Sequence, residues 1–335
     1  MAVILGEMAT TTNSPPAPRS RHARQNESRS SRSPLFVVVV ILLAIGIVAG
    51  GVVIGRHLAA GSEAAALSST VPPKPTAMPA SPPLAAPTPG VPAPVGTGQF
   101  ATDFGSLAAD LNAKVGIVVR ALGTGPEPVS AGDWSTGTAW STIKVPLAIA
   151  GLRETDPPEA TDAMRAAITQ SDNEAAESIW EGLGDPAVAA KKVEAVLTEF
   201  GAPTPVESQK VRPEFTAFGQ TTWTLNDQAT FLSSAACDRR NKPIMDLMGQ
   251  IAPDQSWGLG EIPGAEFKGG WGPSLEGSYL VRQLGVIPVR DGFAVVAVAA
   301  EPNSGSFDDG TLDLTQIANW LQQHVDLLPA GNCAS

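Results

Sequence analysis

Histidine, cysteine and tyrosine are scarce in this 335-residue sequence, which holds three His, two Cys and one Tyr. Because His22 and His57 stand near the N-terminus, a zinc site of His and Cys ligands or a Ser-His-Asp triad would depend on His324 alone. His324 occurs in an amphipathic pattern typical of a half-buried helix surface. We therefore expect no metal and no cofactor. Proton transfer would have to use lysines, carboxylates or hydroxyls.

Positive charge is also in short supply over most of the chain. Residues 1–98 hold seven Lys+Arg and three Asp+Glu, whereas residues 99–335 hold fifteen Lys+Arg and thirty Asp+Glu, a net charge of −15. An acidic domain repels phosphate backbones, so a nucleic-acid partner is not expected.

The N-terminal region divides into three segments. Residues 1–34 combine five arginines with serine and proline and predict a disordered basic tail. Residues 35–55 are uncharged and long enough for one transmembrane helix, the alternative being a cleaved signal peptide. The arginines before this helix predict a cytoplasmic N-terminus. Residues 56–98 hold ten prolines between positions 72 and 94 and predict an extended extracytoplasmic stalk.

Residues 99–335 are long enough to form one folded domain. Strands are predicted at 115–122, 128–133, 264–269, 277–287 and 292–300. Helices are predicted at 104–112, 141–153, 159–169, 173–183, 185–200, 224–236, 240–250 and 311–327. This order predicts an α+β fold, in which both ends of the domain contribute to an antiparallel sheet flanked by helices and interrupted by an all-α insertion.

The two cysteines leave two interpretations open. Cys237 ends a predicted helix and Cys333 lies two residues from the C-terminus. Outside the cytoplasm they could form a disulfide, and otherwise they are two free thiols.

Three short motifs carry the candidate chemistry. Ser141 and Lys144 are three residues apart, so on a helix both lie on one face, where the lysine amine could approach the serine hydroxyl. SerAspAsn at 171–173 stands between two predicted helices, and LysGlyGly at 268–270 ends a predicted strand. Singly, these motifs are equally typical of a helix cap and a strand-end turn.

In this order the motifs resemble those of the class A β-lactamases and penicillin-binding proteins, which use Ser-x-x-Lys, Ser-x-Asn and Lys-Thr-Gly. The resemblance covers almost all of residues 99–335 and is strongest at 140–150 and 166–176. It implies a β-lactamase/transpeptidase-like fold and a serine hydrolase mechanism.

The resemblance implies a role for each motif residue. Ser141 would attack an amide carbonyl and form an acyl-enzyme, with Lys144 as the base or as part of a proton relay. Ser171 would pass the proton to the leaving nitrogen. Asn173 would hold a substrate amide and orient Lys144. Lys268 would anchor a substrate carboxylate and help to keep Lys144 neutral.

Other substrate contacts are implied along the third motif. The backbone N–H groups of Ser141 and Trp271 would form an oxyanion hole, and Gly270 and Gly272 would allow the close approach. Arg282, on the next predicted strand, could bind a substrate carboxylate, with an ordinary surface charge as the alternative.

Two departures from the family pattern affect the expected activity. Gly269 replaces a Thr or Ser whose hydroxyl binds the substrate carboxylate, so recognition should be weakened or altered. Glu207 is the candidate for activating the water that removes the acyl group, but the companion Asn is replaced by Val211. Glu214 competes for this role, and a solvated carboxylate is the alternative for Glu207.

These observations leave three functions open. The first is a membrane-anchored extracytoplasmic hydrolase that opens β-lactams, held in a bacterial plasma membrane by its single helix. The second is a D-Ala-D-Ala peptidase that acts on cell-wall stem peptides, which the long stalk would suit. The third is a catalytically degenerate module that binds cell wall or β-lactam. The oligomeric state stays open.

Overall fold

The computed structural model describes residues 98–334. The predicted basic tail and transmembrane helix, and the predicted stalk up to residue 97, lie outside these residues. Over the described range, none of the helices combines the length and the apolar character that a bilayer crossing requires.

Two antiparallel sheets form the β part of the described chain. Their strands are β1 (Ala113–Ala121), β2 (Val129–Gly132), β3 (Thr136–Thr138), β4 (Thr222–Thr224), β5 (Glu266–Pro273), β6 (Tyr279–Val289) and β7 (Gly292–Pro302). The main sheet has the order β2-β1-β7-β6-β5, and β3 pairs with β4 in a small second sheet. Strand β5 is thus an edge strand of the main sheet.

The central pairing joins the two ends of the domain. Strand β1 pairs with β7 over nine positions, from Ala113 opposite Pro302 to Ala121 opposite Ala294. Both strands carry long runs of consecutive buried residues, which is typical of a strand covered on both faces. The predicted α+β architecture, with an antiparallel sheet built from both ends, is confirmed.

Helices cover both faces of the main sheet. They are α1 (Gln99–Asp110), α2 (Lys144–Leu152), α3 (Asp162–Thr169), α4 (Asn173–Gly182), α5 (Pro186–Glu199), α6 (Leu225–Ala235), α7 (Lys242–Met248) and α8 (Phe307–Gln323). On one face, α1 and α8 share a core in which the rings of Phe100 and Phe104 meet Trp320 edge to face, at 5.4 Å in both cases. On the other face, α6 packs against β1 and β7.

Helix α2 is the centre of the helical insertion. All nine of its residues are buried, and it packs against α3, α4, α5 and α7. Its sequence, KVPLAIAGL, is apolar on every side apart from Lys144, as expected for a helix with no solvent face. The insertion therefore places one lysine at the buried N-terminus of an otherwise apolar helix.

Several elements differ from the sequence-based expectation, and α1, for example, begins at Gln99 and not at residue 104. Strands β3 and β4 have three residues each, too few for an alternating pattern to be recognised. Helix α8 begins at Phe307, four residues before the predicted start, because the Ser306 side chain accepts a hydrogen bond from the Asp309 N–H and caps the helix.

The C-terminus is held by a disulfide. Cys237 and Cys333, which are 96 residues apart in sequence, are bonded at an S–S distance of 2.05 Å. Of the two interpretations of the cysteines, the structure has the bridge, which attaches the last residues of the domain to the chain just after α6.

Candidate active site

A short 3-10 helix, Trp140–Ile143, carries Ser141 and leads directly into α2. We call it the nucleophile turn. Two buried contacts hold it: Thr142 Oγ1 donates to Ala139 O at 2.6 Å and accepts from Gln228 Nε2 at 2.8 Å. Because Gln228 belongs to α6 and is fully buried, the turn is attached to the core, and Ser141 is held at the margin of the insertion, half-buried.

Lys144 is buried at the start of α2, with 1% of its surface exposed. Its Nζ donates to Ser171 O at 2.6 Å and to Asn173 Oδ1 at 2.7 Å. Burial lowers the pKa of Lys144 from its usual 10.5 to about 7, against the nearby charge of Asp172, which raises it. At neutral pH about half of the lysine amines are therefore neutral and able to accept a proton.

Lys268 approaches the same point from β5. It is fully buried, and its Nζ donates to Ser171 Oγ at 2.9 Å and to Gly269 O at 2.9 Å. Burial, and then the charge of Lys144, hold the pKa of Lys268 well below its usual range. Ser171 Oγ also accepts from Lys144 Nζ at 3.5 Å, so the serine hydroxyl lies between the two lysine amines. The structure thus brings the second and third motifs together with the lysine of the first.

Backbone strain is concentrated beside the two serines. Among the residues of the described range, Trp140 and Ser171 are the non-glycine residues with positive φ, at 49° and 56°. Side chains rarely tolerate this left-handed conformation, and it occurs preferentially at functional sites. One of these residues, Trp140, directly precedes Ser141. The other, Ser171, carries the hydroxyl that lies between the two lysine amines.

Strand β5 lies unusually close to the nucleophile turn. A Cβ added to Gly270 would stand 2.9 Å from Ser141 N and from Thr142 N, and one added to Gly272 would stand 2.5 Å from the Trp140 ring. Only glycine allows this approach. The predicted oxyanion hole needs Ser141 N and β5 side by side, and they are. The contribution of the Trp271 N–H stays a prediction.

The predicted contact between Ser141 and Lys144 is not made by their side chains. In the described part of the chain the Lys144 amine donates to Ser171 and Asn173, and not to Ser141 Oγ. A backbone carbonyl and an amide oxygen compete successfully for its protons.

The structure does not bring Arg282 to the cleft, contrary to the expectation that it binds a substrate carboxylate. Arg282 is fully buried, and its guanidinium donates to Gly137 O at 3.1 Å, Thr138 O at 2.9 Å and Trp223 O at 3.1 Å. These carbonyls belong to the small β3–β4 sheet, so Arg282 connects the two sheets. Because Arg282 is fully buried and its two Nη groups donate to backbone carbonyls, it has no access to a ligand.

The two candidate glutamates occupy different environments. Glu207 Oε1 accepts from Gln209 N at 2.8 Å, so its carboxylate caps a local turn. Glu214, in contrast, lines a pocket of about 330 Å³ together with Asn173 and Phe215. Of the two candidates, Glu214 is therefore the one that lines the pocket beside the second motif, which Glu174, Glu177 and Glu181 also line.

The loop that carries Glu214 is fastened to the site by residues that the motifs do not include. Arg212 Nη1 donates to Pro273 O at 2.5 Å, and Arg212 N donates to Gln220 Oε1 at 2.8 Å. Phe215 packs edge to face on Trp140 with ring centroids 5.0 Å apart. Sequence reasoning missed these contacts because no spacing links Arg212 to a strand 61 residues away.

Metal ligands are not gathered in the described range. Nowhere within residues 98–334 do three or more His, Cys, Asp or Glu side chains come together in a way that could hold a metal ion. The groups available for chemistry at the site are hydroxyls, amines, an amide and a carboxylate.

Comparison with known proteins finds relatives by structure. No family profile and no curated protein sequence matches the chain. The β-lactamase of Sphaerobacter thermophilus is similar with a TM-score of 0.54 at 20% identity, covering 69% of this chain and 99% of its own. The class A β-lactamase of Mycobacterium abscessus has a TM-score of 0.51 at 15% identity, covering 67% and 100%. A class A β-lactamase of Bacteroides cellulosilyticus has a TM-score of 0.54 at 15% identity, covering 65% and 94%.

The likeness at these identities concerns the fold. It extends over nearly the full length of each of these enzymes, and it includes the antiparallel sheet and the flanking helices. The chain therefore has the fold of the class A β-lactamases.

Proposed function

We propose that Ser141 is the nucleophile of a serine hydrolase that forms an acyl-enzyme with amide or cyclic amide substrates. The observation that carries the proposal is the position of Ser171 Oγ between Lys144 Nζ at 3.5 Å and Lys268 Nζ at 2.9 Å. A hydroxyl between two buried amines can accept a proton from one side and donate one on the other.

The proposed steps balance without a cofactor. Ser141 Oγ attacks the carbonyl carbon and gives its proton to neutral Lys144, directly or through Ser171. The backbone N–H of Ser141, beside β5, stabilises the negative oxygen of the tetrahedral intermediate. When the C–N bond breaks, Ser171 donates a proton to the leaving nitrogen and is reprotonated from Lys144. Attack by water on the acyl group then releases the acid and restores Ser141.

The fate of the acyl-enzyme distinguishes two substrate classes. A carboxylate that activated a water beside the acyl carbonyl would allow hydrolysis of β-lactams, and our candidate is Glu214, which lines the pocket beside Asn173 and pairs with Arg212. The engagement of Glu207 with Gln209 favours slow deacylation, as in a D-Ala-D-Ala peptidase that β-lactams trap. The membrane anchor and the stalk predicted from the sequence would place either activity outside a bacterial plasma membrane.

A purely structural or binding role is less consistent with the buried lysines. Burial of an ionisable amine destabilises the folded state, because the charged form loses its hydration. Lys144 and Lys268 are 1% and 0% exposed, and both have lowered pKa values. A binding module has no evident use for such a perturbed pair, whereas a lysine that is partly neutral at pH 7 can accept a proton there.

The test is acylation of the full chain in detergent. A chromogenic cephalosporin and a fluorescent penicillin, each as the free acid and as the methyl ester, are incubated with the wild-type protein and with Ser141→Ala. We expect an adduct on Ser141 by intact-mass and peptide analysis, with turnover if deacylation is fast and a stable stoichiometric label if it is slow. If no compound gives more adduct or turnover than Ser141→Ala, the proposed function is wrong.

A further inference from the structure

The space beside Gly269 is filled by indole rings. A Cβ added to Gly269 would stand 3.2 Å from Trp257 Cη2, 3.3 Å from Trp257 Cζ2 and 3.6 Å from Trp271 Cζ3. A threonine or serine here would press its Cβ, and the hydroxyl beyond it, against these rings. The missing hydroxyl is therefore replaced by aromatic surface and not by an open cavity.

These indoles belong to a larger group that we call the aromatic wall: Trp257, Trp271, Tyr279 and Phe307. Ring centroids are 5.9 Å apart for Trp257 and Trp271, 5.4 Å for Trp271 and Phe307, and 5.9 Å for Tyr279 and Phe307. All four side chains are partly exposed. Gly270 faces the nucleophile turn, and its neighbours Gly269 and Trp271 face the other side of β5, so the wall borders the same edge strand from the side of α8.

The basic side chains around β5 are already engaged. Lys268 donates to Ser171 and Gly269 and has no exposed surface, and Arg282 is fully buried and donates to carbonyls of the β3–β4 sheet. Arg212 donates to Pro273 O and pairs with Glu214 at 3.2 Å. A substrate carboxylate lying on the aromatic wall would find an apolar surface in place of a cation and a hydroxyl.

We propose that the substrate carries an uncharged apolar or ring-bearing group, and no carboxylate, on the carbon beside the scissile nitrogen. The inference rests on the proposed acyl-enzyme function and specifies its substrate class. An unpaired carboxylate loses hydration on an apolar surface and gains no partner. An apolar group of the same size gains by covering the rings of the aromatic wall.

A matched pair of substrates tests the inference in the wild-type protein. A cephalosporin is compared as its free acid and as its methyl ester. The group on the carbon beside the lactam nitrogen is a charged carboxylate in the first and a neutral ester in the second. The second-order rate constant for formation of the Ser141 adduct is measured by intact-mass analysis in the full chain. We expect the ester to react at least about tenfold faster, after correction for intrinsic reactivity with free serine methyl ester. Equal rates, or a faster reaction of the acid, would overturn the inference.

Variants of the aromatic wall show whether it is the cause. Trp257→Ala is expected to reduce the preference for the ester, and Trp257→Ala with Gly269→Thr is expected to reverse it, because the new hydroxyl then has room. Gly269→Thr alone should leave the preference for the ester unchanged, because the Trp257 indole still occupies the space beside residue 269. Leu275→Ala is the matched control, since Leu275 is 83% exposed on the turn after β5 and outside the aromatic wall. An unchanged preference in both Trp257→Ala and the double variant contradicts the inference.

The two proposals fail in different ways. If neither the acid nor the ester labels Ser141 above the Ser141→Ala background, the acyl-enzyme function is wrong and the inference falls with it. If the acid labels Ser141 as fast as the ester or faster, the function stands and only the substrate class is wrong.

Discussion

The lowered pKa of Lys144 predicts that acylation of Ser141 depends on pH in the neutral range. A lysine with its usual pKa of 10.5 would be neutral in about one molecule in 3,000 at pH 7, whereas a pKa of about 7 makes half of them neutral. Between about pH 5.5 and pH 8.5 the neutral fraction rises from about 3% to about 97%. If neutral Lys144 accepts the serine proton, the acylation rate constant rises about thirtyfold over this range.

The assay is the initial rate of Ser141 adduct formation with the cephalosporin methyl ester, which has no carboxyl group of its own to titrate near Lys144. A single inflection near pH 7 is expected. A rate that rises only above about pH 9, or one that does not change across the range, refutes the role of a buried lysine with lowered pKa.

A charge variant identifies the group that titrates. Asp172 raises the pKa of Lys144, so Asp172→Asn should move the inflection to lower pH, while an Asn side chain can still cap α4 as Asp172 does through the Ala175 N–H. The control is Asp162→Asn, in the first turn of the neighbouring helix α3, where the carboxylate does not act on Lys144. An identical shift in both variants would mean that the inflection belongs to another group.

Three further predictions follow from the geometry. Replacing Cys237 and Cys333 with serine should lower the free energy of unfolding by about 4 to 5 kcal/mol, since the disulfide closes a loop of 96 residues. Urea denaturation measures the loss, and a loss below about 1 kcal/mol contradicts the prediction. Gly270→Ala should slow acylation at least about 100-fold by displacing the nucleophile turn, whereas Gly182→Ala, where a Cβ meets nothing within 4 Å, should have little effect. Ser171→Gly should slow acylation of Ser141 about 100-fold, because it removes the hydroxyl between the two lysine amines while glycine tolerates the φ of 56°. An acylation rate close to that of the wild type would contradict a role of Ser171 in proton transfer.

The elements of the fold were largely predictable because their patterns are local. Long apolar runs identify β1, β6 and β7, and an apolar segment that begins at Lys144 identifies α2, without knowledge of what packs against them. The three-residue strands β3 and β4 were missed, since they pair with each other across 86 residues of sequence, Gly137 opposite Trp223, and are joined to the main sheet by Arg282.

The candidate site was predictable in its residue types and less so in its contacts. Motif order indicated that Ser141, Lys144, Ser171 and Lys268 belong together, and the structure brings the two lysines to the Ser171 hydroxyl. The role expected of Arg282 failed because a strand position alone does not reveal which face its side chain takes or which carbonyls it meets.

The sequence by itself determined which groups are available for chemistry: with one histidine in the folded domain, proton transfer had to use lysines, carboxylates or hydroxyls. Tertiary structure alone decided how those groups behave. Burial lowered the pKa of Lys144, the turn at Glu207 occupied one candidate glutamate, and Trp257 closed the space beside Gly269. Protonation and substrate selectivity depend on desolvation and on the neighbours in space, and both are set by residues that are distant in the chain.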